Sequence, residues 1–151
     1  MSVLSREFDA SASIEHVRDL LTTLPKLSEY TEVRGITGDA PEEFAVGTTW
    51  KNSGVTMGMP TSDISTVIEL SETLIAWTTW SKLLGLIPTQ MYWSYTLESK
   101  DDGTRVINTL ERVYMMGVPI GILVKLPFLP FLYLARGTMM ASERKLVRTL
   151  S

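Results

Sequence analysis

The chain has 151 residues, 44% of them apolar and 21% charged, with a net charge of −3 and no cysteine. That length buries a sizeable core in one domain, and the composition is too apolar and too weakly charged for a disordered chain. Without a basic excess there is little to displace counterions from nucleic acid, and without cysteine there are neither disulfides nor thiolate metal sites.

The N-terminal stretch MSVLSREFDASAS lacks the basic start and apolar run of a signal peptide, which predicts a cytoplasmic chain. Residues 2–9 alternate loosely and predict a first strand. Ser11 or Ser13 is placed to cap a helix, after which Ile14, Val17, Leu21 and Leu24 recur at the spacing of one helical face. Pro25 interrupts that helix, and KLSEY predicts a second short one. From Thr31 to Met116 the runs become β-branched and aromatic. They are broken at Thr37-Gly38-Asp39, Ser53-Gly54, Ser71-Glu72-Thr73 and Asp101-Asp102-Gly103, which predicts about six further antiparallel strands. Gly121 to Leu150 reads as helical, with Pro127 and Pro130 breaking its first half and Arg144, Lys145 and Arg148 near its negative end. No repeat divides the chain, so residues 1–151 are expected to form one α+β domain. An antiparallel sheet needs one face covered, and the terminal helix is the element long enough to cover it. A curved sheet around an interrupted helix encloses a space suited to a small molecule.

Several segments carry a resemblance to a known family: FDASASIEHVRDLLTTLPKLSEY, FAVGTTWKN, STVIELSETLIAWTTWS, YTLESKDDGTRVINTLERV and the terminal helix. In that order they resemble the START-like (SRPBCC) superfamily, with its polyketide cyclase/dehydrase, lipid-transport and Bet v 1-like members. Gly47-Thr48-Thr49-Trp50 and Asp102-Gly103-Thr104-Arg105-Val106 are the most telling pieces. The resemblance implies a helix-grip fold. In it a seven-stranded antiparallel sheet wraps around a long C-terminal helix, with two short helices after strand 1 and a cavity between sheet and helix. Members of the superfamily include carriers, cyclases and receptors, with no catalytic set common to them, so the resemblance fixes no activity.

Strand alternation supplies candidates for the cavity wall. If Glu98 faces water, Met91, Trp93, Tyr95 and Leu97 face inward. If Arg105 and Glu111 face outward, Val106, Asn108 and Leu110 face inward, and Arg112 joins them provided the strand carries no bulge. If Glu69 faces water, Ile64, Thr66, Ile68 and Leu70 face inward. Trp50, Met59 and Trp80 complete the expected wall, and Met57, Met115 and Met116 add adaptable apolar surface. Any one of these residues equally serves as ordinary core; the collection is what marks a ligand wall. Asn108 is a buried amide bonded either to a neighbour or to a ligand. From Val113 to Ala135 the only charge is Lys125, a run long enough to span a bilayer but broken by prolines, glycines and the charge itself. It is expected instead to form the cavity mouth through Leu123, Phe128 and Phe131. Contact of residues 113–135 with a membrane surface or a second copy stays open.

Catalytic signatures are sparse. His16 sits between charged neighbours on the first helix, and no phosphate loop accompanies Gly54 or Gly58. Glu42-Glu43 and Asp101-Asp102 read as solvated turns. No cofactor and no metal is expected. The leading expectation is therefore a binder or carrier of a lipid-like or polyketide-like molecule. The alternative is a cyclase or dehydratase in which Tyr95, Asn108 or Arg112 orients a carbonyl.

Overall fold

The computed structural model describes residues 3–31, 33–37, 41–56, 59–83, 85–119 and 129–150. Strand β1 (Leu4–Ala10) leads into helix α1 (Ile14–Thr22), a 3₁₀ turn (Leu24–Lys26) and the short helix α2 (Leu27–Tyr30). Ser13 is the residue that caps α1, its hydroxyl accepting from the His16 amide at 3.3 Å. Pro25 falls at the start of the 3₁₀ turn, where a missing amide donor costs nothing. Val17, Leu20, Leu21 and Leu24 are buried from this segment, while His16 is exposed.

Six strands follow: β2 (Val33–Thr37), β3 (Thr49–Thr56), β4 (Met59–Leu70), β5 (Leu74–Leu83), β6 (Ile87–Lys100) and β7 (Gly103–Met115). All pair antiparallel in the order β1-β7-β6-β5-β4-β3-β2, and a two-residue β8 (Val118–Pro119) pairs with β7 beyond the end of β1. The seven-stranded expectation therefore stands, with β8 added. The chain ends in α3 (Leu129–Leu150). Pro130 is the second residue of this described span, in the turn that tolerates proline. Residues 121–128, including Pro127, lie outside the described residues.

Ala135, Met139, Ser142, Leu146 and Leu150 form the buried stripe of α3, at the three- and four-residue spacing of one helical face. Two apolar clusters meet it. One joins Trp50, Val67, Ile75, Trp77, Tyr95, Leu97 and Val106 to α1, α2 and the C-terminal end of α3. The other joins Met91, Leu110 and Val113 to Ala135 and Met139. Each fully buried Leu, Val or Ile among them contributes roughly 1.5–3 kcal/mol.

Two β-bulges set which faces point inward. On β4 the register shifts between Val67 and Glu69, and on β7 it shifts opposite the Tyr92–Trp93 step, where Tyr92 pairs with Arg112 and Trp93 with Leu110. Each bulge puts two successive residues on the solvent side, Ile68 with Glu69 and Glu111 with Arg112.

Candidate functional site: a cavity between the sheet and α3

The concave face of the sheet is laid out in rows of directly paired residues. In one row Asn52 pairs with Asp63, Asp63 with Ser81 and Ser81 with Thr89, all four buried. The next row runs Trp50, Ser65, Thr79, Met91, Val113. Beyond it come Val67, Trp77, Trp93 and Leu110, and then Ile75, Tyr95 and Asn108. The polar row lies toward the end of the sheet where β3 turns into β4. The apolar rows lie toward α1 and α2.

Between these rows and α3 is a cavity of about 750 Å³ of empty space, counting the part open to solvent. Its sheet side is made by Trp50, Asn52, Asp63, Ser65, Trp77 and Thr79, together with Met91, Trp93, Tyr95 and Asn108. Thr138, Met139 and Ser142 of α3 close it opposite, and Leu27 and Thr31 close the α2 end. A line of aromatic contacts runs along one wall. Phe44 stacks on Trp50 at 5.0 Å, Trp50 meets Trp77 at 6.4 Å, Trp77 meets Tyr95 at 5.6 Å, and Tyr30 sits edge-on to Tyr95 at 6.2 Å.

The polar row is a hydrogen-bonded cluster centred on Asp63. Ser81 Oγ donates to Asp63 Oδ1 at 2.5 Å, and Thr61 Oγ1 and Asn52 Nδ2 donate to Oδ2 at 2.9 and 3.1 Å. Ser65 and Thr79 bond to each other at 2.9 Å in the adjacent row. Three buried polar atoms have no partner among the described residues: Trp50 Nε1, Asn52 Oδ1 and Asn108 Oδ1. All three belong to residues of the cavity wall. Across the cavity, Ser142 Oγ donates to the Tyr30 carbonyl at 2.5 Å and lies 3.2 Å from Tyr95 Oη. The serine proton is spent on the carbonyl, so Tyr95 is the donor in that second bond. Burial pushes the Tyr95 phenol up to about 12 and raises that of Tyr30 well above its ordinary value. Both are neutral hydroxyls at neutral pH.

Solved structures share this fold. A conserved protein from Geobacillus kaustophilus aligns with 97% of this chain and 91% of its own at 12% identity and a TM-score of 0.70. A major latex-like protein from Panax ginseng aligns with 98% and 96% at 13% identity and a TM-score of 0.67. The fold is the helix-grip of the START-like and Bet v 1-like proteins. A protein from the dynemicin biosynthetic locus shares it as well, at 11% identity and a TM-score of 0.63, over 97% of this chain and 46% of that one. No family model matches the sequence, and no curated protein matches it.

Within the helix-grip, Trp50, Met91, Trp93, Tyr95 and Asn108 come together on the cavity wall. Leu110 shares the row of Trp77 and Trp93 and is buried in one apolar cluster with Met91 and Met139. Five residues expected on the wall, Ile64, Thr66, Ile68, Trp80 and Arg112, stand on the opposite, convex face. Ile68 is the extra residue of the β4 bulge and is exposed. That bulge also reverses the alternation before it. Ile64 and Thr66 therefore face outward although Glu69 does too, and Asp63, Ser65 and Val67 take the inward places. Trp80 pairs with Ile64 on that outer face and is 53% exposed. Arg112 follows the β7 bulge outward, and its guanidinium lies 4.4 Å over the Tyr92 ring. The Met59 side chain, the Phe131 side chain, Leu123 and Phe128 lie outside what is described.

Alternation alone missed Asp63, the one acidic group among the described residues of the wall. The signal was available through pairing: Trp50 and Asn52 flank the exposed Lys51, and the β3–β4 hairpin carries their face onto Ser65 and Asp63. Among the described residues no group of three His, Cys, Asp or Glu is placed to hold a metal, and no helix is long and apolar enough to cross a membrane.

Proposed function

We propose that the protein binds and carries a hydrophobic small molecule in the cavity between the sheet and α3. The observation that carries this reading is the composition of the wall. Trp50, Trp77, Met91, Trp93 and Met139 supply apolar surface, while three buried polar atoms stand without partners beside them. Ordinary core pairs its polar groups and leaves no such space, whereas ligand sites combine apolar walls with a few fixed polar groups. Transfer of a ligand out of water onto such a wall yields about 25 cal/mol per Å² buried. The helix-grip fold supports the same reading.

Native mass spectrometry of the freshly purified protein, with solvent extraction of whatever accompanies it, tests the proposal. A lipid or polycyclic molecule at near-stoichiometric occupancy is the expected result. A protein that is empty and takes up no apolar fluorescent probe refutes a binding cavity.

Asp63 favours a second reading, because a carboxyl group inside an apolar cavity is a resource for acid–base chemistry. In that reading the cavity folds a reactive polyketide chain for cyclisation or dehydration. Turnover of such a chain, abolished by Asp63→Asn with ligand uptake retained, distinguishes it from carriage alone.

A further inference from the structure

The unpartnered atoms of the polar row restrict what the cavity can hold. Asn52 is 5% exposed, and its amide nitrogen is committed to Asp63 Oδ2 at 3.1 Å and to the Ser53 carbonyl at 3.3 Å. That commitment fixes the orientation of the amide, so the atom left without a partner, Oδ1, is an acceptor. Two residues away on the same strand face, Trp50 Nε1 is a donor in the same condition, on a side chain 2% exposed. Asp63 accepts three hydrogen bonds, while the two oxygens of a carboxylate offer about four lone-pair positions. The open valences of this end of the cavity are therefore acceptors from Asn52 and Asp63 and one donor from Trp50.

Each common polar group meets those valences differently. A carboxylate or phosphate satisfies Trp50 but sets its own acceptors against Asn52 and Asp63. A ketone or ether oxygen also satisfies Trp50 alone. An ammonium group satisfies the acceptors and leaves the indole nitrogen unpaired. A hydroxyl donates its one proton to Asn52 Oδ1 and accepts from Trp50 Nε1, and so pairs both unpartnered atoms, while Asp63 keeps the three donors it already has. The Tyr95 hydroxyl does not compete for it, being committed to Ser142 across the cavity. Asn108 Oδ1 is on β7, separated from β3 by three strands, and belongs to another part of the wall.

Building on the proposed carrier reading, we infer that the ligand is an apolar alcohol or phenol whose hydroxyl seats between Trp50 and Asn52 at the Asp63 row.

Three probes with one ring system test this by titration calorimetry: 2-naphthol, 2-methoxynaphthalene and 2-naphthoate. The naphthol is expected to bind about tenfold more tightly than either of the others, since leaving a buried acceptor unpaired costs roughly 5- to 150-fold. In Asn52→Leu its advantage over the methyl ether is expected to shrink to about twofold. Equal affinities of naphthol and ether in the unmodified protein overturn the inference while the binding cavity stands, and so does tightest binding of the naphthoate. Failure of all three probes to bind overturns the cavity and this inference together.

Discussion

Tyr95 on β6 and Ser142 on α3 meet hydroxyl to hydroxyl at 3.2 Å, and through the same serine oxygen the helix is bonded to the carbonyl of Tyr30. One side chain thus fastens the grip helix both to the floor of the sheet and to the end of α2. Ser142→Ala leaves the Tyr30 carbonyl and the Tyr95 phenol without that partner in a buried place. Loss of roughly 1–3 kcal/mol of stability is expected, set against a few tenths regained from the helix preference of alanine. Urea denaturation followed by tryptophan fluorescence measures it, and an unchanged midpoint contradicts the role assigned to Ser142.

The same phenols set an alkaline limit. Burial raises the Tyr95 phenol to about 12 in the folded protein, against about 10 when unfolded. Below pH 10 both states hold the proton and stability is unaffected. Between pH 10 and 12 only the folded state holds it, so stability falls as pH rises, by about 3 kcal/mol for Tyr95 alone. Tyr30 acts in the same direction. Denaturation midpoints from pH 9 to 12 are expected to drop steeply above 10, with a shallower drop in Tyr95→Phe.

Gly103 follows the β6–β7 turn, with φ at +149°. A Cβ built there would overlap the carbonyl oxygen of Ala10 at the end of β1. The atoms it would meet are all backbone, so relief requires parting β1 from β7. Gly103→Ala is expected to cost more than about 2 kcal/mol, read as a thermal midpoint lowered by several degrees or more.

The β7–β8 turn contains the opposite opportunity. Met116 and Gly117 have φ of +53° and +79°, the pair of left-handed residues that a tight hairpin needs, and Met116 is 72% exposed. Methionine is poorly suited to that conformation, and its side chain is largely free. Met116→Asn is expected to raise stability by about 0.5–1 kcal/mol without altering ligand uptake, measured by thermal denaturation with and without an apolar probe.

Substitutions on the two faces of the sheet separate wall from exterior. Arg112→Ala and Trp80→Ala remove side chains from the convex face and are expected to leave probe affinity within about twofold. Trp93→Ala removes cavity wall and is expected to weaken it by about tenfold or more. Equal loss from all three contradicts the placement of the faces.

The sequence was most readable where one strong signal governs a whole element. The helical spacing of Val17, Leu21 and Leu24 and the Asp101-Asp102-Gly103 turn each point to one structure, and the family resemblance implied the helix-grip. On the wall, Met91, Trp93 and Tyr95 were readable because β6 runs from Glu98 back to Met91 with no extra residue on its own side. The same rule failed on β4 and at the end of β7 for a single physical reason. A bulge shifts the alternation by one residue, and an extra residue such as Ile68 or Glu111 carries no mark in composition. Asp63 was lost in that way, because the exposed Glu69 from which its strand was phased lies on the far side of the bulge.

The two outer strands of the sheet bear on how copies of the chain meet one another. β2 is five residues long, and its register against β3 breaks between Arg34 and Thr37. β1, at the other margin, carries Arg6, Glu7 and Asp9. Arg6 is bonded to Glu143 of α3 at 2.7 Å, and Asp9 is bonded to Lys100 at 2.8 Å. A short, irregular margin on one side and a charged one on the other offer poor templates for adding a further strand. A sheet this broad and this rich in aromatic residues is thereby protected against growing, edge to edge, into fibres.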